Sequence, residues 1–238
     1  MPTPIITVPC LRYAKIAKDI YEFTVKKPAG FAFKAGQFVL FHVPLLHNPS
    51  DVQTRAFSIA SAPHEDDLLF VAKLKEGGRA SEWIAKSLHV GSPVTLQGPF
   101  GLFTIKEDRQ KDTLFLATST GVAPFRSQIF DCLHRNDRRT MTMVFGVRAE
   151  EDLFWVDTFT ALAQRHKTFA FHPALTQGSP SWQGKRGRIL HVAREIVEDS
   201  SGQQLFVCGN PAMCKEVKEI ALSIWKIPKE DVHVEGYI

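Results

Sequence analysis

The feature that most constrains the fold of this 238-residue chain is a change of pattern near residue 110. Before it, short segments rich in β-branched and aromatic residues follow one another, which predicts antiparallel strands. After it, strand and helix patterns alternate four times before a last strand pattern, and such alternation is typical of a doubly wound parallel sheet. The two patterns predict two domains, a division that the length of the chain allows.

We predict that residues 1–108 form an antiparallel six-stranded β-barrel with one helix, at 80–88. Residues 109–238 are predicted to form an α/β domain around a doubly wound, five-stranded parallel sheet, and the polar segment 106–112 is the predicted linker. The strand patterns lie at 20–25, 36–43, 54–61, 68–74 and 93–97, then at 113–118, 140–147, 168–175, 203–209 and 231–237. The helices of the second domain are predicted at 123–134, 150–165, 189–197 and 212–225.

Charge and cysteine content narrow the classes of function. Lys and Arg number 29, Asp and Glu number 25, and the two signs are interspersed, so a nucleic-acid partner gains little support. The longest apolar runs are far below the ~18 residues that a membrane-spanning segment requires. The four cysteines follow neither a metal-ligand nor a disulfide spacing, which predicts no metal site and favours a reducing cytoplasm.

Two strand ends in the second half suggest an anion site. The strand pattern 113–118 runs through Thr120-Gly121-Val122 into a helix, and a helix start offers free backbone N–H groups and a positive dipole end. A second strand pattern ends at Cys208-Gly209. Because strand ends at one edge of a parallel sheet line the same crevice, Thr120-Gly121 and Cys208-Gly209 could converge on one ligand. The alternatives are a simple strand-to-helix turn and a small buried apolar Cys208.

The first half carries a second candidate. In the strand segment Arg55-Ala56-Phe57-Ser58, the alternation of side chains places Arg55 and Phe57 on one face and Ala56 and Ser58 on the other. An Arg beside an aromatic ring is also a common structural pair. The segment Gly78-Arg79-Ala80-Ser81 opens the only helix predicted here and forms a second helix-start anion site. Two such sites in two domains suggest two nucleotides.

In chain order, these motifs resemble those of the ferredoxin–NADP reductase superfamily. The resemblance covers eight segments: Gly36-Gln37-Phe38 for the strand before the flavin motif, Arg55-Ala56-Phe57-Ser58 for the flavin motif Arg-x-Tyr-Ser/Thr, Gly78-Arg79-Ala80-Ser81 for the flavin-pyrophosphate loop, Gly98-Pro99-Phe100-Gly101 for the end of the flavin domain, Thr120-Gly121-Val122-Ala123-Pro124 for the nicotinamide-nucleotide loop, Phe145-Gly146-Val147-Arg148 for the next strand end, Cys208-Gly209-Asn210-Pro211-Ala212-Met213 for the Cys-Gly-x-x-x-Met motif, and Glu235-Gly236-Tyr237 for the Glu-x-aromatic ending.

The resemblance implies an FAD-dependent NAD(P)H oxidoreductase, with FAD as cofactor and NADH or NADPH as substrate. Arg55 and the amides of the Gly78 loop would neutralise the FAD pyrophosphate, Phe57 would stack on the isoalloxazine, and Ser58 would hydrogen-bond flavin N5. Cys208 and Glu235 would flank the nicotinamide, held with its C4 about 3 to 3.5 Å from N5. The resemblance makes Ser58, Cys208 and Glu235 the catalytic residues, and assigns cofactor binding to Arg55, Ala56, Phe57, Ser58, Gly78, Arg79, Ala80, Ser81, Thr120, Gly121, Val122, Arg148, Gly209, Asn210, Met213 and Tyr237.

Three positions depart from the family pattern. Phe57 replaces Tyr, which keeps the stacking surface and removes a hydroxyl. Ser119 stands where the nucleotide loop usually has Gly, so a Cβ enters a place of close backbone approach. Thr176-Gln177 stands where NADPH-using relatives have Ser-Arg, which favours NADH unless Lys185, Arg186 or Arg188 compensates.

The sequence contains no plant-type Cys-x4-Cys-x2-Cys run, so the electron acceptor is expected to be a separate protein such as ferredoxin or flavodoxin. Two alternatives stay open at this stage. The chain could be an electron-transfer subunit of a larger complex, or a flavin-binding module that no longer turns over.

Overall fold

The computed structural model describes residues 3–197, 200 and 202–237. They form two compact units. The first comprises the residues up to Ile105 together with Arg126–Asp131, and the second comprises Lys106–Phe125 and the residues from Cys132 onward. The division falls after Ile105, whereas the sequence suggested residue 108. Each unit is described by itself below.

The first unit is built on a six-stranded antiparallel sheet with the strand order β4-β3-β6-β1-β2-β5 and one α-helix, which confirms the predicted architecture. Its core contains alternate residues of the strands, among them Phe23, Phe41 and Phe70, and Trp83 from the helix packs on Phe41. The strands are β1 (Ile5–Ala17), β2 (Ile20–Lys26), β3 (Phe38–Leu45), β4 (Asn48–Ser58), β5 (Asp67–Lys73) and β6 (Pro93–Phe100), and the helix is α1 (Arg79–Lys86).

The sixth strand of the sheet is β1, and the sequence analysis located no strand pattern at its residues. Its first part pairs with β6 and its second part, from Cys10 onward, pairs with β2, with a register shift between Cys10 and Arg12. Because the strand bends between two neighbours and contains Pro9, its buried residues do not follow the strict alternation that the sequence analysis required.

The second unit is a six-stranded parallel sheet in the order β10-β9-β8-β7-β11-β12, flanked by four α-helices. The five predicted strands are present, and the structure adds the two-residue strand β10, which pairs with the end of β9 and is too short to leave a sequence pattern. The strands are β7 (Thr113–Thr118), β8 (Met141–Val147), β9 (Phe169–Leu175), β10 (Lys185–Arg186), β11 (Gln204–Gly209) and β12 (Val232–Gly236), and the helices are α2 (Ala123–His134), α3 (Val156–Arg165), α4 (Ile189–Ile196) and α5 (Pro211–Ser223).

The helix predicted over 150–165 is wrong in its first third. Glu150–Asp152 forms a single 3₁₀ turn, and α3 begins at Val156 after Trp155, whose φ is 55°. Phe154 is buried, with its ring 5.3 Å from that of Phe145. Burying this ring in the core bends the chain out of a helical path, so the helix starts later than its polar first residues suggest.

The segment predicted as a linker is fixed to the second unit. Buried Asp231 accepts hydrogen bonds from Arg109 Nη1 at 3.2 Å and from Lys111 Nζ at 2.6 Å. Asp112 accepts the backbone N–H of Thr140 at 2.8 Å. These bonds hold the 106–112 segment to the sheet, which explains why the unit begins earlier than composition indicated.

The strand order places a topological switch point in the second unit. From the central strand β7 the chain proceeds through β8 and β9 on one side, and then to β11 and β12 on the other. In sheets of this type, ligands bind in the crevice at the carboxyl ends of the two strands where the order reverses. Here those ends are Thr118 and Gly209. Among the described helices, none combines the length and the hydrophobicity needed to cross a bilayer.

Candidate functional site

The end of β4 presents the predicted flavin motif. Phe57 and Arg55 lie opposite core residues of β3, as the alternation predicted, and the half-buried ring of Phe57 lies 5.0 Å from that of Phe41. Ala56 is exposed and Ser58 is buried. Phe57 is therefore anchored on one side by the aromatic core and partly accessible on the other.

Arg55 is exposed, and within the described part of the chain its hydrogen bonds are to neighbouring residues. Its Nη1 donates to the backbone oxygen of Thr54 at 2.8 Å, and its Nη2 donates to Gln53 Oε1 at 2.7 Å. Both acceptors are neutral, so they hold the guanidinium without cancelling its charge. An exposed guanidinium of this kind suits a phosphate, which it can bind through two parallel hydrogen bonds.

The loop before α1 leaves a helix N-terminus open. Gly77 has a φ of 68°, and the loop is closed by the Lys75 N–H, which donates to Ser81 Oγ at 2.8 Å. Gly78 is the N-cap residue, and within the described part of the chain no side chain caps this helix. The first N–H groups of a helix lack intrahelical partners, so this turn can receive an anion.

Arg79, predicted to bind the cofactor, has a protein partner that the sequence analysis missed. Its Nη1 donates to the backbone oxygen of Asp51 at 2.8 Å and to Oδ1 at 3.0 Å, and its Nη2 donates to Oδ2 at 3.1 Å. The Arg79 guanidinium holds the pKa of Asp51 below its usual value. No motif links the two residues, because the pairing depends on how β4 passes α1.

In the second unit, the two strand ends singled out in the sequence lie against each other. A Cβ at Gly121 would lie 2.3 Å from the carbonyl oxygen of Cys208, and a Cβ at Gly209 would lie 2.1 Å from Thr118 Oγ1. Gly209 also has a φ of 135°. Both glycines are therefore required by close backbone approach, and the two turns lie against each other; that they bind one ligand stays a prediction.

The turn that leaves β7 differs from a direct strand-to-helix junction. Ser119–Val122 forms a 3₁₀ turn before α2, and Ser119 has a φ of 52°. Among the described residues, Ser119 Oγ is buried without a hydrogen-bond partner. Val122 is completely buried, so it can offer a ligand only its backbone. Ser119 thus adopts the left-handed conformation that explains why a glycine is usual at this position.

Asn210 and Thr118 organise the start of α5. Asn210 Oδ1 accepts the N–H groups of Ala212 at 2.9 Å and Met213 at 3.3 Å, which makes Asn210 the N-cap. Thr118 Oγ1 accepts the Asn210 N–H at 3.0 Å. Met213 packs on the core beside the sheet. The Asn210 oxygen is therefore used by the helix itself, and Thr118, which the sequence analysis did not select, joins the two strand ends.

Cys208, Glu235 and Tyr237 lie together at the end of the sheet. Cys208 and Glu235 are opposite each other in the register of β11 with β12, and the Tyr237 N–H donates to the Gly209 carbonyl at 2.8 Å. Cys208 is fully buried. Burial, and then the nearby charge of Glu235, raise the pKa of Cys208 well above its usual value. Burial therefore favours the neutral thiol of Cys208 over the thiolate.

Arg148 directly follows β8 and is exposed, and its Nε donates to Gln177 Oε1 at 2.8 Å. Two of the three basic residues that the sequence analysis named as substitutes for the Ser-Arg pair make polar contacts within the second unit. Lys185 Nζ lies 3.4 Å from Glu195 Oε2, and the Arg186 guanidinium donates to three backbone oxygens of its own loop. Arg188 precedes α4.

Both halves of the chain match known domain families. The family described as "Oxidoreductase FAD-binding domain" matches residues 12–105. The family described as "Oxidoreductase NAD-binding domain" matches residues 115–219. The two matches fall in the first and second compact units respectively, apart from the 126–131 segment.

Individual proteins resemble the chain over most of its length. It is 35% identical to the ferredoxin–NADP reductase B of Sorangium cellulosum over 214 residues, which are 87% of this chain and 86% of that protein. It is also 35% identical over 202 residues to DmpP, the reductase component of phenol 2-monooxygenase from Pseudomonas sp. CF600, but covers only 56% of DmpP.

Among solved structures, a ferredoxin NADP+ reductase from Neisseria gonorrhoeae with bound FAD and NADP superposes with a TM-score of 0.83. The match covers 98% of both chains at 23% sequence identity, so it supports the fold alone.

Proposed function

This chain belongs to the ferredoxin–NADP reductase family of oxidoreductases, and we propose that it takes hydride from NADH or NADPH onto FAD and passes the electrons to a separate acceptor. It carries an FAD-binding and an NAD-binding oxidoreductase domain. The observation that carries the proposal is that each unit has one place suited to an anion: the start of α1, which no described side chain caps, and the switch point where the ends of β7 and β11 meet. We assign FAD to residues 1–108 and the nicotinamide nucleotide to 109–238.

The first unit fits FAD. The exposed guanidinium of Arg55 and the N–H groups of the first turn, Arg79–Ser81, would bind its pyrophosphate, and the half-buried ring of Phe57 would support the flavin ring system. Ser58, at the end of β4, would hydrogen-bond the ring edge. When bound, FAD accepts a hydride at N5 and can release the two electrons one at a time.

The second unit fits a dinucleotide. Gly121 and Gly209 let the two turns pack directly against each other, so the ends of β7 and β11 lie at one crevice, where a pyrophosphate would bind. The neutral thiol of Cys208 and the carboxylate of Glu235 would border the nicotinamide, with Tyr237 beside them. Arg148 and Gln177, joined by a hydrogen bond, would meet the adenosine ribose. A neutral Gln177 in this position supports NADH over NADPH.

We propose a small iron–sulfur protein or a flavodoxin as the acceptor. The Sorangium relative is named a ferredoxin–NADP reductase, and DmpP is named as the reductase component of a monooxygenase. Because the chain spans about half of DmpP, the acceptor of DmpP is not carried over. A reducing cytoplasm stays the predicted compartment.

Stopped-flow mixing without oxygen tests the proposal. The purified yellow protein is mixed with NADH and, separately, with NADPH, and the flavin absorbance is followed. We expect the flavin band to bleach within seconds, faster with NADH, and to return when an oxidised ferredoxin is added. A band that is unchanged by both nucleotides would favour a flavin-binding module without turnover.

A further inference from the structure

The ion pair between Asp51 and Arg79 connects the two parts of the proposed flavin site. Asp51 belongs to β4, the strand that carries Arg55 and Phe57, and Arg79 is the first residue of α1. Three hydrogen bonds between 2.8 and 3.1 Å use both terminal nitrogens of Arg79 and both carboxylate oxygens of Asp51. Such a two-pronged pair fixes direction as well as distance.

The surroundings of this pair show why β4 needs a fixed point. β4 is an outer strand of the sheet and pairs only with β3. Near Asp51 even this pairing is irregular, since the register shifts between Pro44 and Leu45. The Arg79 side chain is only 13% exposed, against 42% for Asp51. An arginine side chain that is half-buried and donates to a backbone oxygen and to a carboxylate of one residue is held in place by that residue.

We propose that Asp51 is a positioning residue of the flavin site: through Arg79 it fixes strand β4 against the N-terminus of α1. Arg55 and the N–H groups of the first turn of α1, Arg79–Ser81, are then held at one spacing before the ligand arrives. This inference rests on the proposed function, since it assumes that both groups bind the FAD pyrophosphate.

Fixing the parts of the site before FAD arrives has a direct consequence for its affinity for FAD. A site whose parts are already fixed spends less of its binding free energy on ordering strands and side chains. Because Asp51 occupies the Arg79 guanidinium, Arg55 is the side chain whose charge is directed at phosphate, and Arg79 acts through Asp51.

The test compares variants of the pair in the full chain, with FAD and riboflavin as ligands. Asp51→Asn keeps the shape and removes the charge, and we expect FAD to bind about tenfold more weakly, within the range of measured couplings between contacting groups. Asp51→Glu should restore most of the affinity. Riboflavin has no phosphate, so its affinity should not change in Asp51→Asn, whereas general damage to the fold would weaken both ligands.

Charge reversal separates positioning from direct contact. Arg79→Asp alone should weaken the binding of FAD. The double variant Asp51→Arg with Arg79→Asp should restore this binding, because either orientation of the ion pair can join β4 to α1. An acidic residue at the start of a helix is favourable, so the double variant should fold. The matched control reverses Glu82 and Lys86, an exposed pair within α1 at 3.6 Å, and should leave the FAD affinity unchanged.

Three results would overturn the inference. FAD affinity in Asp51→Asn could equal that of the wild type, or it could rise, which would make Asp51 a competitor for Arg79. Alternatively, the folded double variant could bind as poorly as Arg79→Asp, which would mean that Arg79 touches the phosphate itself. A wild-type chain that takes up no FAD would instead refute the proposed function, so the two failures are distinguishable.

Discussion

The two candidate sites differ in the groups that set their geometry, which are side chains in the first unit and backbone in the second. In the first unit, charged side chains provide the geometry: Arg55 offers its guanidinium, and Arg79 is tied to Asp51 by a two-pronged ion pair. In the second unit, backbone provides it, because Gly121 and Gly209 let two turns approach within distances that no Cβ permits. A site made of side chains should lose affinity when one is replaced, whereas a site made of backbone should lose its structure when a side chain is added.

The largest effect is expected where a side chain is added to the second unit. In Gly121→Ala, the new Cβ would meet the carbonyl oxygen of Cys208 at 2.3 Å, so the turns must separate. We expect a loss of about 3 kcal/mol in the free energy of unfolding, typical of severe overpacking. Urea unfolding measures this, and the KM for NADH should rise as well.

Gly202→Ala is the matched control for that substitution. Its Cβ would meet no atom within 4 Å, so the stability should change by less than about 0.5 kcal/mol. If Gly121→Ala were as stable as this control, the second site would not depend on close backbone approach.

The next largest effect is expected in the first unit, and on binding only. Arg55→Ala removes an exposed guanidinium, so FAD should bind roughly thirtyfold more weakly, equivalent to about 2 kcal/mol for a charge-assisted contact. The melting temperature of the FAD-free protein should not change, because Arg55 bonds only to its neighbours. Fluorescence titration with FAD measures the affinity. Unchanged, stoichiometric flavin in Arg55→Ala would contradict the phosphate role of this residue.

A smaller effect, a gain in the free energy of unfolding, is expected from a substitution at Ser119. Its φ of 52° is costly for a residue with a Cβ, and its buried hydroxyl lacks a partner among the described residues. Ser119→Gly should therefore stabilise the protein by about 1 kcal/mol and bring the turn closer to the family pattern. Ser119→Ala keeps the Cβ and should gain less. A loss of stability in Ser119→Gly would show that the hydroxyl serves the fold.

The smallest expected effect is the opposite pH dependence of two groups, Glu65 in the first unit and Cys208 in the second. Burial alone would raise the pKa of Glu65 in the first unit, but the two-pronged bond from Arg126 and the N–H of Ala62 hold it below its usual value. Glu65 therefore stabilises the folded state above its unfolded pKa of about 4.3, and this contribution is lost as the pH falls through the lower, folded value.

Cys208 in the second unit gives the opposite dependence. Because burial raises its pKa in the folded protein, its contribution is complete below the unfolded pKa of about 8.5 and is lost as the pH rises toward the folded value. When the melting temperature is measured across the pH range, it should depend less on pH on the acid side in Glu65→Gln and less on pH on the alkaline side in Cys208→Ala. Equal curves for both variants and the wild type would contradict these assignments.

The sequence predicted best those elements of the second unit that leave a continuous pattern. The strand Thr113–Thr118 and helix Ala123–His134 were predicted at their observed bounds, because buried parallel strands and the helices after them leave continuous patterns. The meeting of Gly121 with Cys208 followed from topology, since strand ends at a switch point share one crevice.

What the sequence did not reveal depends on contacts between distant parts of the chain. The partner of Arg79 lies in another element, 28 residues earlier, and an ion pair of this kind leaves no periodic signal. β1 was missed because its pairing passes from β6 to β2 part-way along the strand. Thr118 and the capping role of Asn210 became visible only with the hydrogen bonds of the α5 start.

Hydrogen–deuterium exchange with each ligand in turn tests the central claim, that the two units hold two different nucleotides. FAD should slow exchange in peptides that cover 53–58 and 75–81, and NAD+ added to the flavin-bound protein should slow exchange at 118–122 and 208–213. Protection of the β7 and β11 ends by FAD alone, or no protection at either place, would contradict the account.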